Sequence, residues 1–195
     1  MHDNIKQKEK KTWEQRKLKE FTRSYSGGTP SASNSNYYGG NIPFIRSAEI
    51  NSSSTELFLT KQGLENSSAK LVQKGDILYA LYGATSGQVG ISKINGAINQ
   101  AVLAIIPTED DAPDFIKQWL SMKKKRIISR YLQGGQGNLS GKIVTDLSMQ
   151  KPKVNKEEFA VGTLLKKADS LIAANEYNHK NALNIRARFY PCIFT

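Results

Sequence analysis

The sequence predicts an α+β protein: a compact domain of mixed strands and helices, followed by one long C-terminal helix. Three observations predict it. Short hydrophobic runs at 42–46, 77–82 and 97–106 are bounded by Gly, Pro, Asn and Ser, as strands are. Residues 114–132 instead place Phe115, Ile116, Trp119, Leu120, Ile127, Ile128 and Tyr131 at helical spacing. From Val161 onward apolar and small residues follow a 3-4 pattern without a break. A length of 195 residues suits one domain plus an extension, and 38% hydrophobic residues suffice for a core. The expected division is a basic arm at 1–12, a domain at 13–152 and a helix at 153–195.

In chain order, residues 1–12 are polar and lysine-rich, the pattern of a solvated end. Trp13, Leu18 and Phe21 anchor the first ordered stretch. A tight turn at 26–31 leads into the polar stretch 32–41, where Gly, Asn and Ser favour loops. A stretch this long tends to carry function. A strand at 42–46 carries Pro43 near its start, where proline is tolerated. A short helix is expected at 57–64. A turn at Lys74, Gly75 and Asp76 precedes a buried strand, and a small-residue loop at 83–88 enters another. Residues 97–106 give the strongest strand signal, stopped by Pro107. The 114–132 helix follows Pro113 and carries Lys123, Lys124, Lys125, Arg126 and Arg130 on its outer face. A glycine-rich loop at 133–142 leads to a short strand expected at 143–149.

The last segment carries Val161, Leu164, Ala168, Leu171, Asn175, Asn178, Ala182, Ile185 and Phe189 as an a/d seam. It spans roughly 40 Å at about 1.5 Å per residue. Asn at such positions fixes register and partner number at a cost in stability. The spacing therefore predicts a partner helix outside the domain.

Charge narrows the function. Lys plus Arg number 28 against 17 for Asp plus Glu, a net charge of +11. A small basic chain favours a polyanionic partner, nucleic acid first. The single cysteine, Cys192, makes no internal disulfide and points to a reducing cytoplasm. With His2 and His179 it forms no plausible zinc set. No apolar run reaches transmembrane length, so no membrane partner is expected.

Catalytic patterns fail on count and identity. Between Gly135 and Gly141 five residues intervene where a P-loop has four, and Ile143 stands where Ser or Thr would hold Mg²⁺. Asn41, Ile42, Pro43 and Phe44 miss the Asn-Pro-Pro-Phe/Tyr loop of amino-methyltransferases by one proline. No carboxylate pair with a following lysine marks a nuclease. The histidines sit near opposite ends of the chain. What remains is a binding signature: three loops at 26–41, 82–88 and 133–142, rich in Gly, Ser, Thr, Asn, Gln and Tyr. Neutral amides and hydroxyls pair with base edges, and Lys or Arg neutralise phosphates. Asn36, Tyr37, Arg46, Ser47, Thr85, Ser86, Gln88, Gln136 and Asn138 are the expected base contacts. Arg23, Lys93 and Lys142 are the expected phosphate contacts. The rival reading is a non-DNA scaffold, binding carbohydrate or protein and assembling through the C-terminal helix.

The chain resembles the DNA-specificity subunits of type I restriction–modification systems. The matching stretches are Trp13 to Leu18, Gly27 to Ser31, Tyr38 to Ile45, Lys74 to Leu78, Gly83 to Val89, Asn99 to Ala101, Gly137 to Leu139 and Ala168 to Ile172. The resemblance implies a target-recognition domain with one conserved helix. Two such units read the halves of a split double-stranded DNA site, and their helices pair antiparallel and dock methyltransferase subunits. Through these they engage the restriction subunit. It implies a non-catalytic chain without its own cofactor, since S-adenosylmethionine, ATP and Mg²⁺ belong to the partner subunits. There is room here for one unit, as in a half subunit or a fragment, so pairing with a second copy or a second half subunit is expected. Pro191 departs from the usual pattern and would stop the helix.

Overall fold

The computed structural model describes residues 12–132 and 138–189, with side chains up to residue 178. The expected arm, apart from Thr12, and residues 133–137 of the glycine-rich loop lie outside the described residues.

Strand β1 (Trp13–Lys17) pairs antiparallel with β10 (Ser148–Pro152), so the domain closes on itself just before the long helix begins. A four-stranded antiparallel sheet has the order β2 (Thr22–Ser26), β9 (Val102–Pro107), β6 (Ile77–Ala80), β7 (Val89–Ile91). A second sheet has the order β4 (Phe58–Leu59), β3 (Tyr38–Ile45), β8 (Gly96–Ile98), β5 (Lys70–Val72). Within it β3 and β8 run parallel, with Ile45 opposite Ile98.

The side-chain period of two explains why β6 and β9 read as unbroken apolar runs. Ile77, Tyr79, Leu103 and Ile105 face a helical layer. Leu78, Ala80, Val102 and Ala104 face the second sheet, where they meet Ile45, Val72 and Ile98. Both faces are covered, so neither alternates with polar residues. Burial pushes the Tyr79 hydroxyl up to about 12. Helix α1 (Lys61–Glu65) flanks the second sheet. Helix α2 (Pro113–Leu132) supplies the helical layer through Phe115, Ile116, Leu120 and Ile127. Proline suits its first position, where the missing N–H costs nothing.

Three expectations shift for local reasons. The 57–64 helix begins later, because Phe58 and Leu59 pair as β4 and Thr60 Oγ1 caps α1 by accepting from Gly63 N at 3.0 Å. The 97–106 run splits between two sheets at a turn, where Asn99 Oδ1 accepts from Ala101 N at 3.1 Å. The expected 143–149 strand is instead helix α3 (Gly141–Thr145) followed by β10, since Ser140 Oγ accepts from Ile143 N at 3.2 Å.

Helix α4 (Asn155–Phe189) has 35 residues, roughly 52 Å at 1.5 Å per residue. Its first turns pack on α2, and a Cβ at Gly162 would lie 2.9 Å from Phe115 N. Asp114 and Lys166 pair at 3.1 Å, while Asp169 accepts from Gln118 and Lys117. Of the predicted seam, Val161 is half-buried, and Leu164, Ala168, Leu171, Asn175 and Asn178 are exposed. Leu164 and Leu171 are 67% and 72% exposed. Ala182 and Ile185 fall beyond the described side chains.

Candidate nucleic-acid interface

The turn at 99–101 organises one end of the first sheet. Gly27 N donates to Asn99 O at 3.2 Å, Leu81 N to Ala101 O at 2.8 Å, and Leu139 N to Leu81 O at 3.0 Å. Backbone bonds thus connect the 26–41 and 133–142 loops to one another through the 99–101 turn and through Leu81, the residue before the 82–88 loop. Glycine at 27 is required by space: a Cβ there would lie 1.8 Å from Ile98 O.

Side chains bridge the same loops. Gln100 Oε1 accepts from Thr29 Oγ1 at 2.5 Å. A hydrogen bond from Gln100 also restrains Tyr82, although burial is the larger influence and leaves the phenol raised. The 83–88 loop turns through Gly83 and Gly87 at φ +84° and +75°, and Ser86 Oγ donates to Gly83 O at 2.8 Å. A Cβ at Gly87 would lie 3.0 Å from the Ile128 side chain and 3.2 Å from the Lys124 stem, so this loop rests on α2.

The structure brings together Thr85, Ser86, Gln88, Asn138 and Lys142 on these connected loops. Ser86 and Gln88 are half-buried, and Asn138 and Lys142 are exposed. The Thr85 hydroxyl is buried without a hydrogen-bond partner. Gln136 lies outside the described residues. Sequence reasoning passed over Thr29, Tyr82, Gln100 and Lys124 as site residues. The available signal was the polar pair Asn99–Gln100 inside an otherwise apolar run.

Of the other predicted residues, Arg46 leaves its strand near the 99–101 turn, and Asn36, Tyr37, Arg23 and Lys93 sit elsewhere. Asn36 and Tyr37 occupy a turn before β3, where Asn36 O accepts from Thr60 Oγ1 at 2.8 Å. Arg46 and Ser47 follow the opposite end of β3, and Arg46 leaves the sheet beside Asn99 because β3 and β8 are parallel. The Arg46 guanidinium is already engaged, at 2.9 Å from Glu49 and 2.6 Å from Glu56. Those two carboxylates raise its pKa still further. Burial pushes the Glu49 carboxyl up, but Arg46 and the N–H groups of Glu56 and Arg46 outweigh it and hold it at about 2. Arg23 lies opposite Ile106, and Lys93 follows β7 beside the Gly75–Asp76 turn. Both stand toward the end of the sheet opposite the stitched loops, at exposed positions.

A concave feature lies at the base of α4. It is a groove of about 900 Å³ between α2 and the β1–β10 ribbon, lined by Trp13, Trp119, Met122, Arg126, Arg130 and Leu165 among others. Among the described residues, no group of three or more His, Cys, Asp or Glu could hold a metal ion. No described helix is long and apolar enough to cross a membrane.

Comparisons with known proteins bear on the fold and the family. A family model described as "Type I restriction modification DNA specificity domain" matches residues 10–184. The specificity subunit of the type I restriction enzyme MjaIX of Methanocaldococcus jannaschii is 26% identical over 190 residues, covering 90% of this chain and 43% of the relative. A solved chain from work on complex assembly and conformational transition of the type I R-M system superposes with TM-score 0.75 at 16% identity, over 92% of this chain and 44% of that one. The HsdS subunit from Thermoanaerobacter tengcongensis superposes with TM-score 0.65 at 16% identity, over 85% and 39%. The chain thus spans less than half the length of these relatives. With 175 of its residues in the family's pattern (10 through 184), it belongs to the type I restriction–modification DNA specificity domain family.

Proposed function

We propose that this chain is a non-catalytic module that reads one half of a split double-stranded DNA target. The observation that carries the reading is the convergence of three uncharged-polar loops on the 99–101 turn, in a chain of net charge +11. Preformed loops lower the ordering cost of binding, and their amides and hydroxyls suit base edges in the major groove. Residues 13–152 act as the recognition domain and the helix from 153 as the assembly element. Two exposed seams pair, from a second copy or a second half subunit, and the paired helices carry methyltransferase subunits and through them the restriction subunit. S-adenosylmethionine, ATP and Mg²⁺ bind to those partners. Two identical halves on a two-fold axis imply an interrupted palindromic site.

Fluorescence anisotropy with a random-sequence duplex at low salt tests the DNA reading. Binding that weakens linearly in log salt is expected. Absence of binding at low salt rejects it in favour of the scaffold reading. Mass measurement in solution, alone and with a methyltransferase subunit, tests assembly separately.

A further inference from the structure

Three charged side chains are buried together where α4 leaves the domain. Lys151, Asp111 and Glu158 are 4%, 4% and 0% exposed. The Lys151 ammonium pairs with the Asp111 carboxylate and lies 3.0 Å from Glu158 Oε2. It also sits 4.8 Å from the centre of the Phe21 ring. Glu158 Oε1 accepts from Ala112 N at 3.0 Å, and the second Asp111 oxygen accepts from Thr108 Oγ1. The cluster therefore ties β10, the turn before α2 and the first turn of α4 to one point.

Stability does not explain this arrangement well. Replacing a buried ion pair by apolar side chains of similar volume is often neutral or stabilising. What the charges add is a penalty for separation, since pulling one partner away leaves an uncompensated buried charge. The other contacts of α4 run along α2. The ion pairs to Asp114 and Lys117 are more exposed and screened by salt. The close approach of Gly162 to Phe115 fixes one turn of α4 against α2. The buried cluster is the second fixed point.

We infer that Lys151 is a positioning residue: its ammonium fixes the direction in which α4 leaves the domain, and so sets the separation of two domains in a helix-paired dimer. The first half of this stands alone; the second rests on the assembly proposed above. In a split target that separation selects the spacing of the half-sites.

Pulsed electron–electron spin resonance distances test it in the full chain with Cys192→Ser. Labels at Ser53→Cys and Ala173→Cys, diluted into unlabelled chain, report the angle between domain and helix. A label at Ser53→Cys alone reports the domain-to-domain distance in a dimer. The decisive variant is Asp111→Asn/Lys151→Met/Glu158→Gln, which keeps the acceptors for Thr108 Oγ1 and Ala112 N and removes the charges. The expected result is a distance distribution at least twice as wide for both pairs, with the melting midpoint unchanged or raised. An unchanged width overturns the inference. So does loss of cooperative melting in this variant, because the cluster would then serve stability. A monomer gives no domain-to-domain distance and rejects the assembly, while the domain-to-helix pair still decides the role of Lys151.

Discussion

The central sheet and the distal part of α4 are opposite solutions to burying apolar surface. Strands β6 and β9 have helices on one face and a second sheet on the other, and Leu78 and Ile105 are fully buried. Helix α4 rests on α2 through its first turns and then presents Leu171, Ile172 and Tyr177 at 72%, 57% and 66% exposure. The helix carries an apolar stripe that the described residues do not cover. Such a stripe in a protein of this size marks an interaction surface, so stability and assembly should respond to different residues.

The largest effect should come from the sheet. Leu78→Ala empties space between two packed layers and is expected to cost about 2–5 kcal/mol of stability, read by denaturant titration. Next comes the helix. Leu171→Ala should leave domain stability within roughly 0.5 kcal/mol of wild type, as an exposed substitution does. It should instead weaken self-association, since burying a leucine is worth about 1.5–3 kcal/mol. Sedimentation over a concentration series measures this. A change in melting without a change in association would erase the distinction between the two regions.

A smaller effect follows from the cluster of Arg46, Glu49 and Glu56. The Glu49 carboxyl is held at about 2, below its usual range. A carboxyl depressed on folding contributes stability above its unfolded pKa and loses it as pH falls toward the folded value. The 46–56 segment should therefore loosen as pH falls from about 4.5 toward 2, with Glu49→Gln flattening that dependence. Hydrogen exchange at Glu56, whose N–H donates to Glu49 Oε1, reads it directly.

The same contrast explains what could be read from the sequence. Helices α2 and α4 were legible from their 3-4 spacing, and strands β6 and β9 from short unbroken apolar runs. The break at Asn99 was not, because two residues pass the chain from one sheet to another only in the folded context. Helix α3 was missed because one serine cap outweighs a short apolar run. The polar loops were visible in composition, but the pairing of Gln100 with Thr29, far apart in sequence, is a tertiary fact. Arg46 was expected to be free although Glu49 lies only three residues on, and Glu56, ten residues on, completes its neutralisation. Arg23 and Lys93 were chosen for charge alone, and charge carries no position.

Position is what the smallest predicted effect would test. Lys142 is exposed in the first turn of α3, on the loop stitched to the 99–101 turn, whereas Lys93 is equally exposed at the other end of the sheet. If the stitched loops face DNA, Lys142→Ala removes one phosphate contact. Affinity should fall for every sequence alike, and the slope of log affinity against log salt should drop by about 0.9. Lys93→Ala lowers the net charge by the same amount and should leave that slope nearly unchanged. Equal slopes for the two variants would mean that the duplex responds to the charge of the whole domain, and the stitched loops would lose their claim to be the interface.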